Sequence, residues 1–266
     1  MLSYQHIYHA GNLADVHKHA LMAVMLDYLT RKDKPLTYIE THAGRGLYAL
    51  DAPEALKTGE AEQGIERVEA AKWFPPAHPY AQALAAVRAE HGGHAYPGSP
   101  LLAAHLLRPI DAIQLCDLHP QEFTALKETM SPHGGIFHQK DGLEMALALT
   151  PPTPRRGIML IDPSFEVKKD YETLPSLIAK VARKWNVGII ALWYPILAPT
   201  VPASTAQRAM VRTLMANNPD ALLSEVRFPP AREGHGMIGS GMFVINAPWG
   251  TEDEAVRLDR LFRTLR

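Results

Sequence analysis

The sequence predicts an α/β fold of the doubly wound, Rossmann-like kind: a mostly parallel sheet covered on both faces by helices, with an antiparallel hairpin at its C-terminal end. Three observations predict it. Short apolar runs recur at 36–39, 112–116, 136–139, 158–161 and 187–192, and stretches with helical spacing alternate with them. Several of these runs end in an acid, a glycine or a proline, the residues found where parallel strands empty into loops. The last two runs, 222–228 and 242–247, are separated by the glycine-rich stretch 234–241 without a helical pattern, which implies a hairpin rather than a crossover.

The elements follow in order. Asn12 or Asp15 can cap a first helix, in which Leu21, Val24, Met25 and Tyr28 recur at helical spacing until Asp33-Lys34-Pro35 stops it. The strand at 36–39 leads into Glu40-Thr41-His42-Ala43-Gly44-Arg45-Gly46. From 48 to 96 the composition turns to Ala, Glu and Pro, with no strand pattern and two helical blocks, 64–72 and 80–91, on either side of Trp73-Phe74-Pro75-Pro76. This reads as a helical subdomain, 48–96, inserted into a main domain made of 1–47 and 97–266. Tyr96-Pro97-Gly98-Ser99-Pro100 closes the insert, with Ser99 as the expected N-cap and Pro100 at the first helical position. Further helices are expected at 101–107, 121–130, 143–149, 174–184 and 205–217.

Bulk properties exclude several classes. The 266 residues carry a formal charge of −1, which argues against a uniformly basic nucleic-acid coat. Local basic patches are left: Lys168-Lys169, Arg155-Arg156, Arg183-Lys184 and the segment 257–266. No apolar run reaches the length of a membrane span, and the N-terminus lacks the blocks of a signal peptide. Cys116 is the single cysteine, so intramolecular disulfides are excluded. A cytoplasmic protein without a membrane partner is expected, and balanced charge fits a monomer.

Four strand ends carry residues suited to chemistry. Ligands in doubly wound sheets sit outside the carboxyl ends of the strands, near the point where strand order reverses. Gly44 and Gly46, with His42 beside them, either let a cofactor approach the backbone or form a tight turn. Asp117 can accept from ribose hydroxyls or cap the next helix. Asp141-Gly142 can receive an adenine amino group or form a turn. Asp162-Pro163-Ser164-Phe165 offers an acid, a free carbonyl and an aromatic face, which together could present an exocyclic amine. The histidines His17, His19 and His42 lack the cysteines or the His-Glu-x-x-His spacing of a zinc site, and no metal is expected.

Taken together, these strand ends resemble the class I S-adenosylmethionine-dependent methyltransferases, and Asp-Pro-x-aromatic resembles the motif of those that act on amino groups of adenine or cytosine. The resemblance narrows with His9-Ala-Gly-Asn-Leu-Ala-Asp-Val-His-Lys-His19, Glu40-Thr-His-Ala-Gly-Arg-Gly46, Tyr96-Pro-Gly-Ser-Pro100 and Leu160-Ile-Asp-Pro-Ser-Phe-Glu166. Over essentially the whole chain it is similar to the J-type 23S ribosomal RNA adenine-N6 methyltransferases. That resemblance implies S-adenosylmethionine as cofactor, contacted by His19, His42, Ser99, Asp117, Asp141 and Gly142, with Gly44 in the cofactor loop and Lys18 helping to organise the methionine end. It implies that Asp162 acts at the amine and borders the cofactor, with Pro163 and Phe165 holding the base. Tyr4 would touch 23S ribosomal RNA, the implied partner, with His6 nearby in a mobile tail. Ser164 and Phe165 depart from the family's usual proline and tyrosine. A DNA adenine-N6 methyltransferase and a non-catalytic nucleic-acid-binding homologue are the alternatives.

Overall fold

The computed structural model describes residues 5–167, 169–229 and 236–265. Tyr4 and Lys168 lie outside the described residues. The strands are β1 (Thr37–Glu40), β2 (Leu47–Ala49), β3 (Ala95–Pro97), β4 (Ala112–Cys116), β5 (Ile136–His138), β6 (Gly157–Ile161), β7 (Ile189–Leu197), β8 (Leu222–Arg227) and β9 (Met237–Ile245). Seven of them form one sheet in the order β5-β4-β1-β6-β7-β9-β8. From β5 to β7 every pair is parallel, whereas β9 is antiparallel to both β7 and β8. The chain starts at β1 and winds outward in one direction through β4 and β5, then returns to the other side of β1 for β6. The switch point therefore lies beside β1.

The parallel strands are buried on both sides, and their alternation assigns side chains to two cores. Tyr38, Ile158 and Leu160 point to one face, where they meet Leu21 and Met25 of α1 (Leu13–Thr30) and Leu101 of α5 (Ser99–Leu106). Ile39, Met159 and Ile161 point to the other, against Ile178 and Val181 of α8 (Asp170–Lys184) and Met210 of α9 (Ser204–Asn217). The sheet thus holds β1 and β6 rigidly, and their carboxyl ends deliver Glu40 and Asp162.

Three features differ from the sequence expectations. The glycine-rich stretch expected as a loop contributes Gly239 and Gly241 to the interior of β9, which begins at Met237 rather than 242. Gly241 faces Tyr194, whose ring would lie 2.1 Å from a Cβ there, so this glycine admits a neighbour rather than making a turn. β7 correspondingly runs on through Trp193 to Leu197. At the C-terminus, the expected basic patch is the amphipathic helix α10 (Thr251–Arg263), which buries Ala255, Leu258 and Phe262. Its arginines are largely engaged, Arg257 with Glu254 and the Trp73 carbonyl, and Arg263 with Asp259.

The inserted segment contains α2 (Pro53–Thr58), α3 (Arg67–Ala70) and α4 (Pro79–His91), and β2 and β3 pair antiparallel at its base. That ribbon is absent from the sequence reading because three-residue strands carry no periodicity. Gly64 docks the segment onto the N-terminus of α1: Ile65 N–H donates to the Gly11 carbonyl (2.8 Å). A Cβ at Gly64 would sit 2.1 Å from that same carbonyl oxygen. Gly64→Ala should therefore destabilise the protein by about 2 kcal/mol or more, since backbone must move to relieve the overlap. Urea denaturation compared with Gly93→Ala, where a Cβ would meet no atom within 4 Å, checks this.

Candidate active site

A cavity of about 470 Å³ opens at the carboxyl ends of β1, β4, β6 and β7. Its walls include His6, Lys18, His19, His42, Gly44, Ser99, Asp117, Asp162, Pro163 and Phe165, ten of the residues singled out in the sequence. Asp141 and Gly142 do not line it. Asp141 is exposed at the end of β5, where its Oδ1 accepts from Leu143 and Glu144 N–H and caps α7 (Gly142–Ala148), and Gly142 is buried where it opens that helix.

The floor is an ionic cluster built by α1. Asn12 caps this helix by accepting from Asp15 N–H. One turn on, Lys18 Nζ donates to Asp162 Oδ2 (2.6 Å) and lies 3.1 Å from Asp15 Oδ1. Burial opposes the lysine's charge, but the two carboxylates outweigh it and hold the ammonium above its usual pKa. Asp15 lies well below the carboxylate range: burial opposes this too, and His6, Lys18 and His19 overcome it. Asp15 Oδ2 also accepts from Gly11 N–H (3.0 Å) and meets His6 Nε2 (2.8 Å). His6 thus belongs to a packed 3₁₀ turn, His6–Tyr8, with its ring against Tyr48 (5.2 Å), rather than to a loose tail.

Two expected caps are corrected. Gly98, not Ser99, is the N-cap of α5. The Ser99 hydroxyl is drawn to Glu40, a buried acid that also accepts from Tyr38 (2.8 Å) and that burial pushes up to about 8. Asp117 does not cap α6 (Pro120–Met130), a task performed by His119. It clips two loops together instead, its oxygens accepting from Gly44 N–H and His119 N–H (both 2.8 Å). Gly44 takes a φ of +60°, which turns its N–H toward that acid.

Phe165 also has a φ of +55°, an unusual conformation for a bulky residue. Its ring stacks on Tyr171 (4.8 Å, 28°) and lies 6.1 Å from Trp193, so one of its faces is already covered. Ser164 turns its hydroxyl toward Glu166 N–H (3.5 Å) within the same loop.

Sequence reasoning missed Trp193 and Asp15 as members of this site. Asp15 and Lys18 stand three apart on one helix, a spacing that pairs opposite charges. Trp193 lines the cavity from β7, just past the residues that pair with β6, and its indole N–H donates to Ser240 Oγ (2.9 Å). Ser240 meets His17 Nδ1 (2.9 Å), whose Nε2 meets Ser224 Oγ (2.9 Å). Burial lowers the pKa of His17 to about 3. A base depressed in the fold contributes stability above its unfolded pKa of 6.5 that is lost as pH falls below it. Between pH 6.5 and about pH 5 this one residue should cost about 2 kcal/mol. Urea titrations of the wild type and His17→Gln at both pH values should show that the variant's pH dependence is smaller by this amount.

Strand order and switch point give the protein the doubly wound fold of the class I S-adenosylmethionine-dependent methyltransferases, with the cavity outside the carboxyl ends of its strands. The family described as "Ribosomal RNA large subunit methyltransferase D, RlmJ" matches residues 33–265, and the chain belongs to this family. Ribosomal RNA large subunit methyltransferase J of Escherichia coli strain K12 is 38% identical over 257 residues, covering 96% of this chain and 90% of that protein. The protein of the same name from Haemophilus influenzae is 35% identical over 260 residues, with the same coverage of 96% and 90%. A crystal structure of a Legionella pneumophila protein superposes with a TM-score of 0.84 at 32% identity, covering 97% of this chain and 94% of that one.

The residues present fit the cofactor of this class. His19 Nε2 is buried against the cavity with no hydrogen-bond partner among the described residues, a costly arrangement that a hydrogen bond to a polar ligand group would relieve. Burial pulls His19 down to about 3, so its imidazole is neutral and can accept or donate according to tautomer. Asp117 is half-buried, and each of its oxygens has a second lone pair available for ribose hydroxyls. Among the described residues no helix is long and apolar enough to cross a membrane.

Proposed function

We propose that the protein methylates the N6 amine of one adenine in 23S ribosomal RNA, working as a monomer on RNA that has not yet assembled with ribosomal proteins. The observation that carries the proposal is Asp162, held at the end of β6 by Lys18 and bordering the cavity with Pro163, Phe165 and Trp193. S-adenosylmethionine, when bound, supplies an electrophilic methyl group on a sulfonium.

An adenine N6 amine is a poor nucleophile because its lone pair is delocalised into the ring. Asp162 and the Pro163 carbonyl would each accept one N–H of the amine, favouring a pyramidal nitrogen whose lone pair faces the methyl group. Alignment of this kind supplies much of the acceleration. The nitrogen gains a methyl and releases one proton, which Asp162 would receive. The base leaves any stack to enter the cavity, where Phe165 and Trp193 would hold it. His19, His42, Gly44, Ser99 and Asp117 would bind the cofactor, with Asp141 and Gly142 at its adenine end beyond the cavity. The loop at Lys169 would meet the RNA backbone with positive charge, whereas the inserted segment 48–96, a separate subdomain in this reading, holds four Lys and Arg against seven Asp and Glu and would contact the RNA by shape and uncharged groups.

Methylation of protein-free 23S RNA, assembled large subunits and duplex DNA side by side, with mass mapping of the product, tests the proposal. Methyl incorporation at a single adenine of the protein-free RNA is expected. Incorporation into DNA alone would overturn it.

A further inference from the structure

Away from the methyl-transfer cavity, three elements converge on a cluster of metal-ligating side chains. Glu90 lies at the end of α4 in the inserted segment, His105 near the end of α5, and His133 at the end of the 3₁₀ turn Ser131–His133 that follows α6. One ligand atom from each lies within 4.8 Å of the others. The rings of His105 and His133 are 5.3 Å apart, and His105 Nε2 is 3.8 Å from Glu90 Oε2. His91 Nε2 stands 3.7 Å from the same carboxylate oxygen. His105 Nε2 is buried and has no hydrogen-bond partner among the described residues. A buried polar atom left unpaired is costly, so it calls for a ligand or a function.

We propose that Glu90, His105 and His133 form a structural site for a divalent transition-metal ion, Zn²⁺ being the best fit, which ties the inserted segment to the methyltransferase sheet. Two imidazoles and one carboxylate are a donor set that zinc accepts, whereas Mg²⁺ and Ca²⁺ favour oxygen ligands. Metal–nitrogen bonds of about 2.0–2.1 Å require the donor atoms to draw in from their present spacing. Glu90 can do so because its side chain is 53% exposed and free to move. The ion would link α4, α5 and the turn after α6. Its effect is therefore on stability rather than on the chemistry at Asp162.

The test uses the untagged full-length chain, stripped with a chelator and titrated calorimetrically with ZnCl₂, alongside thermal melts and Co²⁺ absorption spectra. One equivalent should bind, Tm should rise with Zn²⁺ and not with Mg²⁺, and Co²⁺ should show the visible bands of a low-coordinate site. His105→Ala and His133→Ala should each weaken binding at least tenfold, while His94→Ala, at an exposed position outside the cluster, should leave it unchanged. Circular dichroism of the metal-free variants separates loss of the site from loss of the fold. If a variant is unfolded, Glu90→Gln carries the same test, because it removes a charged ligand from an exposed side chain. The absence of stoichiometric Zn²⁺ binding, or binding that persists in the variants, overturns the proposal.

Discussion

Asp162→Asn is expected to lower methyl transfer by about 10³-fold or more while S-adenosylmethionine binding remains measurable. The substitution preserves shape and changes the hydrogen bonding. A carboxylate only accepts, whereas an amide presents an NH₂ that would face the substrate amine or Lys18 with the wrong polarity. Lys18 Nζ now donates to Asp162 at 2.6 Å, and that contact favours the amide oxygen, which turns the NH₂ of the variant toward the cavity. The proton released by the amine also loses its acceptor. Cofactor binding draws on His19, His42 and Asp117 as well, so it should weaken without vanishing. Single-turnover methylation of protein-free 23S RNA, combined with calorimetry for the cofactor, checks both halves. Unchanged turnover would remove Asp162 from the chemistry.

Much of this site was legible because strand ends are predictable. A run of four or five apolar residues followed by an acid and a glycine or proline has few interpretations, and β1, β4, β5 and β6 were found within a residue or two. The alternation of Tyr38 and Ile39, or of Leu160 and Ile161, between two cores follows directly from a sheet buried on both faces. Other features depended on tertiary contacts that local pattern does not encode. Ser99 precedes a proline as an N-cap would, yet a buried Glu40, 59 residues away, captures its hydroxyl. Gly239 and Gly241 look like a turn until the Val226 carbonyl is placed against the first and the Tyr194 ring against the second. The charges of α10 hide its apolar stripe, since Arg257 and Arg263 pair along the helix rather than facing a partner. Trp193 was visible as a residue, but its place in the cavity depends on β7 extending beyond 192 to pair with a longer β9.

Replacing Lys18 by methionine should have the second large effect, on stability as well as activity. The lysine is 5% exposed and lies between Asp15, whose side chain is 2% exposed, and Asp162, whose side chain is 14% exposed. Methionine fills a similar volume but leaves two acids without the cation between them. Removing one partner from a buried ionic group costs about 3 kcal/mol or more, because the remaining charge is uncompensated. The pH dependence identifies the cause. Asp15 has a depressed pKa, so its ionic contacts contribute stability above its unfolded value of 3.8 that is lost as pH falls toward the folded value. The wild type should therefore lose its advantage over Lys18→Met on acidification toward pH 3.8 and below. Urea denaturation at pH 7 and at about pH 3 measures that difference. Pairing the substitution with Asp15→Asn removes one of the stranded charges and should recover part of the stability. Activity should not recover with it, because Asp162 would still lack the ammonium that fixes its carboxylate at the mouth of β6.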